Sequence, residues 1–343
     1  MRKFVIIIVL LIFTAGISGV IMMYNRIWRS NVNIADGETV EVFIKSGSGF
    51  DEVYHTLQEL GILRDTSSFY WVAEKKNYPR HVKSGRYIIS SGMGNNQLVG
   101  LLRSGLQEPV QLVFNNVRTK EKLAGLVGSQ IEADSIDILS LFTNRDLIEK
   151  HQLSEETILG VFIPNTYEIY WNTSAEKFLD RMMREYRIFW NEERLAKARK
   201  IGLEPMEVIT LAAIVDEECL YQEEETRIAG IFINRLNKRI RLHADPTVKY
   251  AAGDMNMTRV LTKHLEIDSP YNTYRRGGLP PGPIVIPSIS AIDAVLNYER
   301  HDYLYFCAKE DFSGYHNFAN TIAQHNKNAR SYQNALNRRK IFN

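Results

Sequence analysis

The chain has 343 residues, 45% of them apolar and 24% charged, which suits about two ordered domains and excludes a disordered polymer. With 42 basic and 40 acidic residues the formal charge is only +2, so no nucleic acid is expected as partner. Two cysteines, Cys219 and Cys307, imply no disulfide framework for a body of this size and read as free buried thiols.

Phe4 to Tyr24 is 21 residues without a charge. As a helix it reaches about 31 Å at ~1.5 Å per residue, enough to cross a bilayer. A cleaved signal peptide is the alternative, but its apolar core runs only about 7 to 15 residues. Residues 1–24 are therefore expected to form a short cytoplasmic head and a retained transmembrane anchor. Arg26 and Arg29 nearly balance Arg2 and Lys3, yet a short basic head before one span favours the N-terminus inside and the body outside. Residues 25–39 show no apolar period and read as a polar linker.

From residue 40 the pattern changes. Val40, Val42 and Ile44 alternate as in a strand, and "SGSG" follows as a turn. Val53, Leu57 and Leu60 recur at helical spacing, with Gly61 where a C-terminal cap is wanted, so Phe50 to Leu60 is predicted helical. "SSFYWVAEKK" reads as a second helix, "GRYIIS" as a second strand, and "NNQLVGLLRSG" as a helix ending at Gly105. This strand-helix-helix-strand unit, residues 40–105, resembles the LysM-like domain of wall-binding proteins. Residues 106–205 read as mainly helical, interrupted by "GVFIPNTYEIYW", where Pro164 makes either a core turn or one lip of a cleft.

Chemistry concentrates after residue 205. Residues 208–215 are almost wholly apolar, so the helix that carries them is enclosed, yet it ends in Asp216, Glu217 and Glu218. Successive helical side chains point about 100° apart, so these carboxylates face three directions. Glu218 continues the Val208, Leu211 or Ala212, Val215 stripe and Asp216 the Ile209, Ala213 stripe; periodicity does not choose between them. A carboxyl group taken from water beside two others, at the negative end of its helix, holds its proton to higher pH, as a general acid requires.

"IVDEE", "FINRL", "LHADPTVKYA", "SPYNTY", "GLPPGPI", "YLYFCA", "HNFANT" and "HN" follow in order between residues 214 and 326. Together they resemble the MltG or YceG-like family of membrane-anchored endolytic lytic transglycosylases. The resemblance implies cleavage of peptidoglycan glycan strands between N-acetylmuramic acid and N-acetylglucosamine, leaving 1,6-anhydro ends and terminating nascent strands. It implies Glu218 as the catalytic residue, no cofactor, no metal, and association with peptidoglycan polymerases. Asp216 stands where the family usually has glutamate, and Gln324 where it often does. One principal acid suffices if the sugar's own acetamido group takes the second carboxylate's part.

Half of the ten prolines, Pro270, Pro280, Pro281, Pro283 and Pro287, lie within or beside residues 271–288, which makes these a stiff extended segment. It is expected to wall a glycan groove, with Tyr271 and Tyr274 as ring faces, Asn272 and Thr273 as polar contacts, and Pro281 as a rigid edge. Asn234, Asp245 and Thr247 are placed near the same cleft, each with a structural role as the alternative. The expectation is an α+β protein: one N-terminal transmembrane helix, the small LysM-like domain, and a larger mixed α+β catalytic domain over 106–343, in the cytoplasmic membrane with its body outside. The rivals are a non-catalytic wall-binding scaffold and a muramidase that uses water. A pyridoxal-phosphate activity is disfavoured, because Lys249 is the only lysine within a motif and no phosphate-binding glycine loop accompanies it.

Overall fold

The computed structural model describes residues 2–115 and 117–339, which divide into two compact units. Met1, of the expected head, and residues 340–343, of the expected catalytic segment, lie outside the described residues. The first unit runs to Leu112 and takes in Gln130–Ala133 and Tyr167–Thr173; the second holds Val113–Ser129, Asp134–Thr166 and the chain from Ser174 onward. Helices predominate, with three two-stranded sheets among the described residues, an α+β composition.

In the first unit, helix α1 (Arg2–Trp28) presents its apolar side chains outward from Phe4 onward. The 25 residues Phe4–Trp28, with an 18-residue window of mean hydropathy 2.9, are long and apolar enough to cross a membrane. Strands β1 (Thr39–Ile44) and β2 (Gly85–Ser90) pair antiparallel, with Val42 opposite Tyr87 and Val40 opposite Ile89. Between them lie α2 (Phe50–Glu59) and α3 (Thr66–Lys75), and α4 (Asn95–Ser104) follows. The core takes Val42 and Ile44 from β1, Val53 and Leu57 from α2, Phe69 and Val72 from α3, and Leu98 and Leu102 from α4. Each such side chain contributes about 1.5–3 kcal/mol on burial. Gly61, at φ +64, closes α2 in the left-handed region that the sequence asked of it.

The polar linker expected over 25–39 is in part built into the unit. Helix α1 continues to Trp28, and the next residues pack into the unit: Val32 is fully buried, and the Asn31 amide group donates to the Asn95 side chain at 2.8 Å while accepting from the Asp65 backbone at 2.7 Å. The Asn95 amide group in turn donates to the Arg26 carbonyl at 2.9 Å. Gly94 permits this approach, since a Cβ there would stand 2.6 Å from the Trp28 carbonyl oxygen. Asn31 thus spends its polar groups on buried partners, while Asn33 and residues 35–39 are exposed.

Strands β3 (Val110–Phe114) and β4 (Asn165–Ile169) pair with each other and contribute residues to both units. Pro164 precedes β4 and is buried with Val161, Phe162 and Ile163, so this segment is a core turn rather than a cleft lip. The second unit opens with short helices α5 (Lys120–Gly128), α6 (Ser135–Ser140) and α7 (Arg145–Lys150), then α8 (Ala175–Phe189) and α9 (Glu192–Ile201). Helix α10 (Pro205–Glu218) is its axis: Val208 to Val215 are buried without interruption. It is wrapped by α9, α11 (Glu225–Asn237), α12 (Asp245–Ala251) and α14 (Ile289–Leu296), while the short α13 (Thr262–Leu265) lies against α12. A hairpin of β5 (Tyr305–Ala308) and β6 (His316–Ala319), backed by α15 (Ile322–Arg338), completes the unit. Cys219 and Cys307 are both unpaired and only partly buried.

Candidate active site

The last turn of α10 sends its three carboxylates to three destinations. Asp216 accepts the Ser288 backbone N–H and the Ser288 hydroxyl, both at 2.9 Å. Ser288 is the N-terminal cap of α14, so Asp216 fastens one core helix to the start of another. Glu217 pairs with the Nε of Arg118 at 2.9 Å. Glu218 lines a cleft of about 420 Å³ together with Arg235, His243, Asp245, Tyr274, Tyr305 and His316.

Burial pushes the Glu218 carboxyl up to about 8, and the negative charge of neighbouring Asp245 adds to the rise. Lys249, the Asp245 backbone N–H and Arg235 oppose the rise without cancelling it. Tyr274 donates its hydroxyl to Asp245 Oδ1 at 2.6 Å and stacks on His243, with ring centres 4.7 Å apart and planes 6° from parallel. Arg235 is buried, donates to the Leu304 carbonyl at 2.6 Å, and sits 5.3 Å from the centre of the Tyr305 ring. His316 is locked from behind: its Nδ1 lies 2.8 Å from Glu224, which also accepts the His316 backbone N–H at 3.1 Å. Burial and then Arg235 push the imidazoles of His243 and His325 down, so both hold to the neutral form. The cleft thus pairs a protonated carboxyl group at neutral pH with an aromatic and imidazole wall, an arrangement suited to delivering a proton to a bound polar molecule. Among the described residues no group of three His, Cys, Asp or Glu side chains is placed to hold a metal ion.

Of the side chains expected near this cleft, Asp245 and Tyr274 line it. Thr247, Asn272 and Thr273 stand behind it, buried and satisfied by the protein itself. The Thr273 hydroxyl accepts the Ala244 N–H at 3.0 Å and meets Thr247 Oγ1 at 2.8 Å, and the Asn272 amide group donates to the Leu265 and Ile267 carbonyls. They hold the turn that presents His243 and Asp245. Tyr271 packs on Tyr250, ring centres 4.5 Å apart, outside the cleft lining. Asn234 spends its amide group on the His301 and Tyr303 carbonyls at 2.7 and 3.1 Å, a helix-to-loop clamp. Pro281 borders a different hollow, with Pro280, Leu203 and Leu236.

The proline-rich strip is therefore mostly a packing element. Ile284, Val285 and Ile286 are buried, the Ile286 N–H donates to the Val117 carbonyl at 3.0 Å, and a Cβ on Gly282 would stand 2.0 Å from the Glu156 carbonyl oxygen. Only its leading end, at Tyr274, reaches the cleft. Sequence reasoning passed over Arg235, His243, Tyr305, His316 and His325. Arg235 adjoins Asn234 in "FINRL", and His316 and His325 open "HNFANT" and "HN", so the motifs held the signal but not which member of each faced inward.

The family model described as YceG-like matches residues 42–331. This chain belongs to the YceG-like family. Among its relatives, an endolytic murein transglycosylase of Bacillus subtilis (strain 168) is 28% identical over 339 residues, covering 94% of this chain and 92% of the relative. An endolytic murein transglycosylase of Streptococcus pneumoniae (strain ATCC BAA-255 / R6) is 28% identical over 331 residues, covering 86% of this chain but 59% of the relative's length. A crystal structure of a YceG-like protein from Listeria monocytogenes, 29% identical, covers 84% of this chain and 99% of its own, with a TM-score of 0.55.

Proposed function

We propose that this YceG-like protein is an endolytic murein transglycosylase that cuts peptidoglycan glycan strands and leaves 1,6-anhydro-muramic ends. The observation that carries the reading is the Glu218 carboxyl group, held protonated near neutral pH by burial and by Asp245 at the edge of an aromatic-lined cleft. Glu218 gives its proton to the glycosidic oxygen as the bond to C1 breaks, while the muramic acetamido group supports the positive charge developing at C1. The resulting carboxylate then takes the proton of the same sugar's C6 hydroxyl as that oxygen bonds to C1. One residue serves as acid and then base, no water is consumed, and the carboxyl group ends as it began.

Tyr274, Asp245 and the β5–β6 hairpin form the substrate wall in this reading, with Thr247, Asn272 and Thr273 supporting it. Helix α1 anchors the protein in the cytoplasmic membrane with the body outside, residues 40–105 grip the wall as a LysM-like domain, and residues 106–343 carry the catalysis. Peptidoglycan polymerases are the partners proposed for a terminator of nascent strands. Mass analysis of products from purified glycan strands tests the reaction. Ends lighter than hydrolytic ends by one water support it; hydrolytic ends would mark a muramidase, and no new ends a binding scaffold.

A further inference from the structure

A second cavity opens at the same end of α10, about 540 Å³ against about 420 Å³ for the Glu218 cleft. Its lining includes Arg118, Lys122, Asp216, Glu217, Val285 and Ile286, all in the second unit. The acids there are already engaged. Asp216 accepts twice from Ser288, and Glu217, whose carboxyl group burial pushes up, is held by Arg118. The cations are not used to the same degree. Arg118 meets Glu217 through Nε at 2.9 Å and is half-exposed, and its five N–H donors exceed what one carboxylate takes. Lys122 is exposed and forms no ion pair among the described residues. Two donors of positive charge above a floor of Val285 and Ile286 suit a ligand that is acidic and partly apolar.

Glu217 and Glu218 are consecutive on α10, so the two hollows open from adjoining residues of one helix end although they share no lining residue. Where its lactyl groups are amide-linked to peptide, the glycan itself is uncharged and offers Lys122 and the remaining N–H groups of Arg118 no charge to pair with. The muramic sugar, however, carries on its lactyl ether a short peptide in which methyl groups alternate with carboxylates. We propose that the cavity beside Glu217 is a subsite for this acidic stem peptide, read by Arg118 and Lys122. The inference rests on the reading of the Glu218 cleft as the glycan-cleaving site.

The test uses the full-length protein in detergent and two substrates: glycan strands bearing stem peptides, and the same strands stripped by an amidase, which keep one lactyl carboxylate per muramic sugar but lack the peptide's own groups. The unmodified protein is expected to favour the peptide-bearing strands in kcat/KM. In an Arg118→Gln, Lys122→Gln double variant that ratio is expected to fall at least about tenfold, the scale of a lost charge-assisted hydrogen bond. Equal loss on both substrates, an unchanged ratio, or no preference in the unmodified protein would overturn the subsite. Affinity for a peptide-bearing muropeptide against its bare disaccharide, measured in Glu218→Gln with and without the double substitution, separates the two readings. If the unmodified protein cleaves neither strand, the Glu218 assignment fails, while this binding difference still decides the subsite: a loss of the peptide's advantage supports it and an unchanged advantage refutes it.

Discussion

Replacing Asp216 by alanine should damage the fold rather than the chemistry. The substitution removes both acceptors of Ser288, one of them for a backbone N–H at the start of α14. Two hydrogen bonds to a charged group are each worth about 1.5–3 kcal/mol, which sets a gross loss of about 3–6 kcal/mol. Part of it is returned, because Asp216 is the principal like charge acting on Glu225, a buried neighbour whose carboxyl group burial and then Asp216 push up to about 7. A net destabilisation of about 2–4 kcal/mol remains, since relief of one like-charge contact near a protein surface is worth less than two part-buried hydrogen bonds to a carboxylate. Hydrogen exchange measured by mass spectrometry should show Ile289–Leu296 exchanging faster by the corresponding factor, with activity per folded molecule reduced only modestly. Unaltered exchange in α14 together with abolished cleavage would mean that Asp216, not Glu218, carries the reaction.

Two further outcomes are expected. Glu218 and Glu225 both have raised folded-state values, about 8 and about 7, so the stability they contribute is complete below the ordinary carboxyl range and is lost as pH rises through those values. The urea midpoint should therefore fall from about pH 6 to about pH 9, and Glu225→Gln should flatten the fall and raise the midpoint at the alkaline end; superimposable curves would contradict this. Glu224→Gln loosens the His316 ring in the substrate wall, and should raise KM about tenfold with kcat changed less than about threefold, while a loss confined to kcat would give His316 a part in the chemistry.

The small unit was legible because its elements are local: β1, α2, α3, β2 and α4 follow from alternation, helical spacing and glycine stops at Gly61 and Gly105. The 25–39 stretch was not, because Asn31 and Asn95 look like solvent-facing polar residues until their partners, far away in sequence, are known. The same limit applied at the cleft. The pattern of α10 announced an enclosed helix ending in acids, and geometry was needed to send Asp216 to Ser288 and Glu218 to the cleft. The prolines drew attention to 271–288, but stiffness serves a buried packing strip as well as a groove wall, and half of that strip, chiefly residues 282–287, is buried.

The central claim is that Glu218 moves both protons. Purified full-length protein and its Glu218→Gln variant, compared on long glycan strands by mass analysis of anhydro ends, test it most directly. Glutamine keeps the size and most of the hydrogen bonding but can neither donate nor accept the proton, so the rate should fall by at least about 10² to 10⁴ while glycan affinity survives. Cleavage by Glu218→Gln within a few-fold of the unmodified protein would contradict the account.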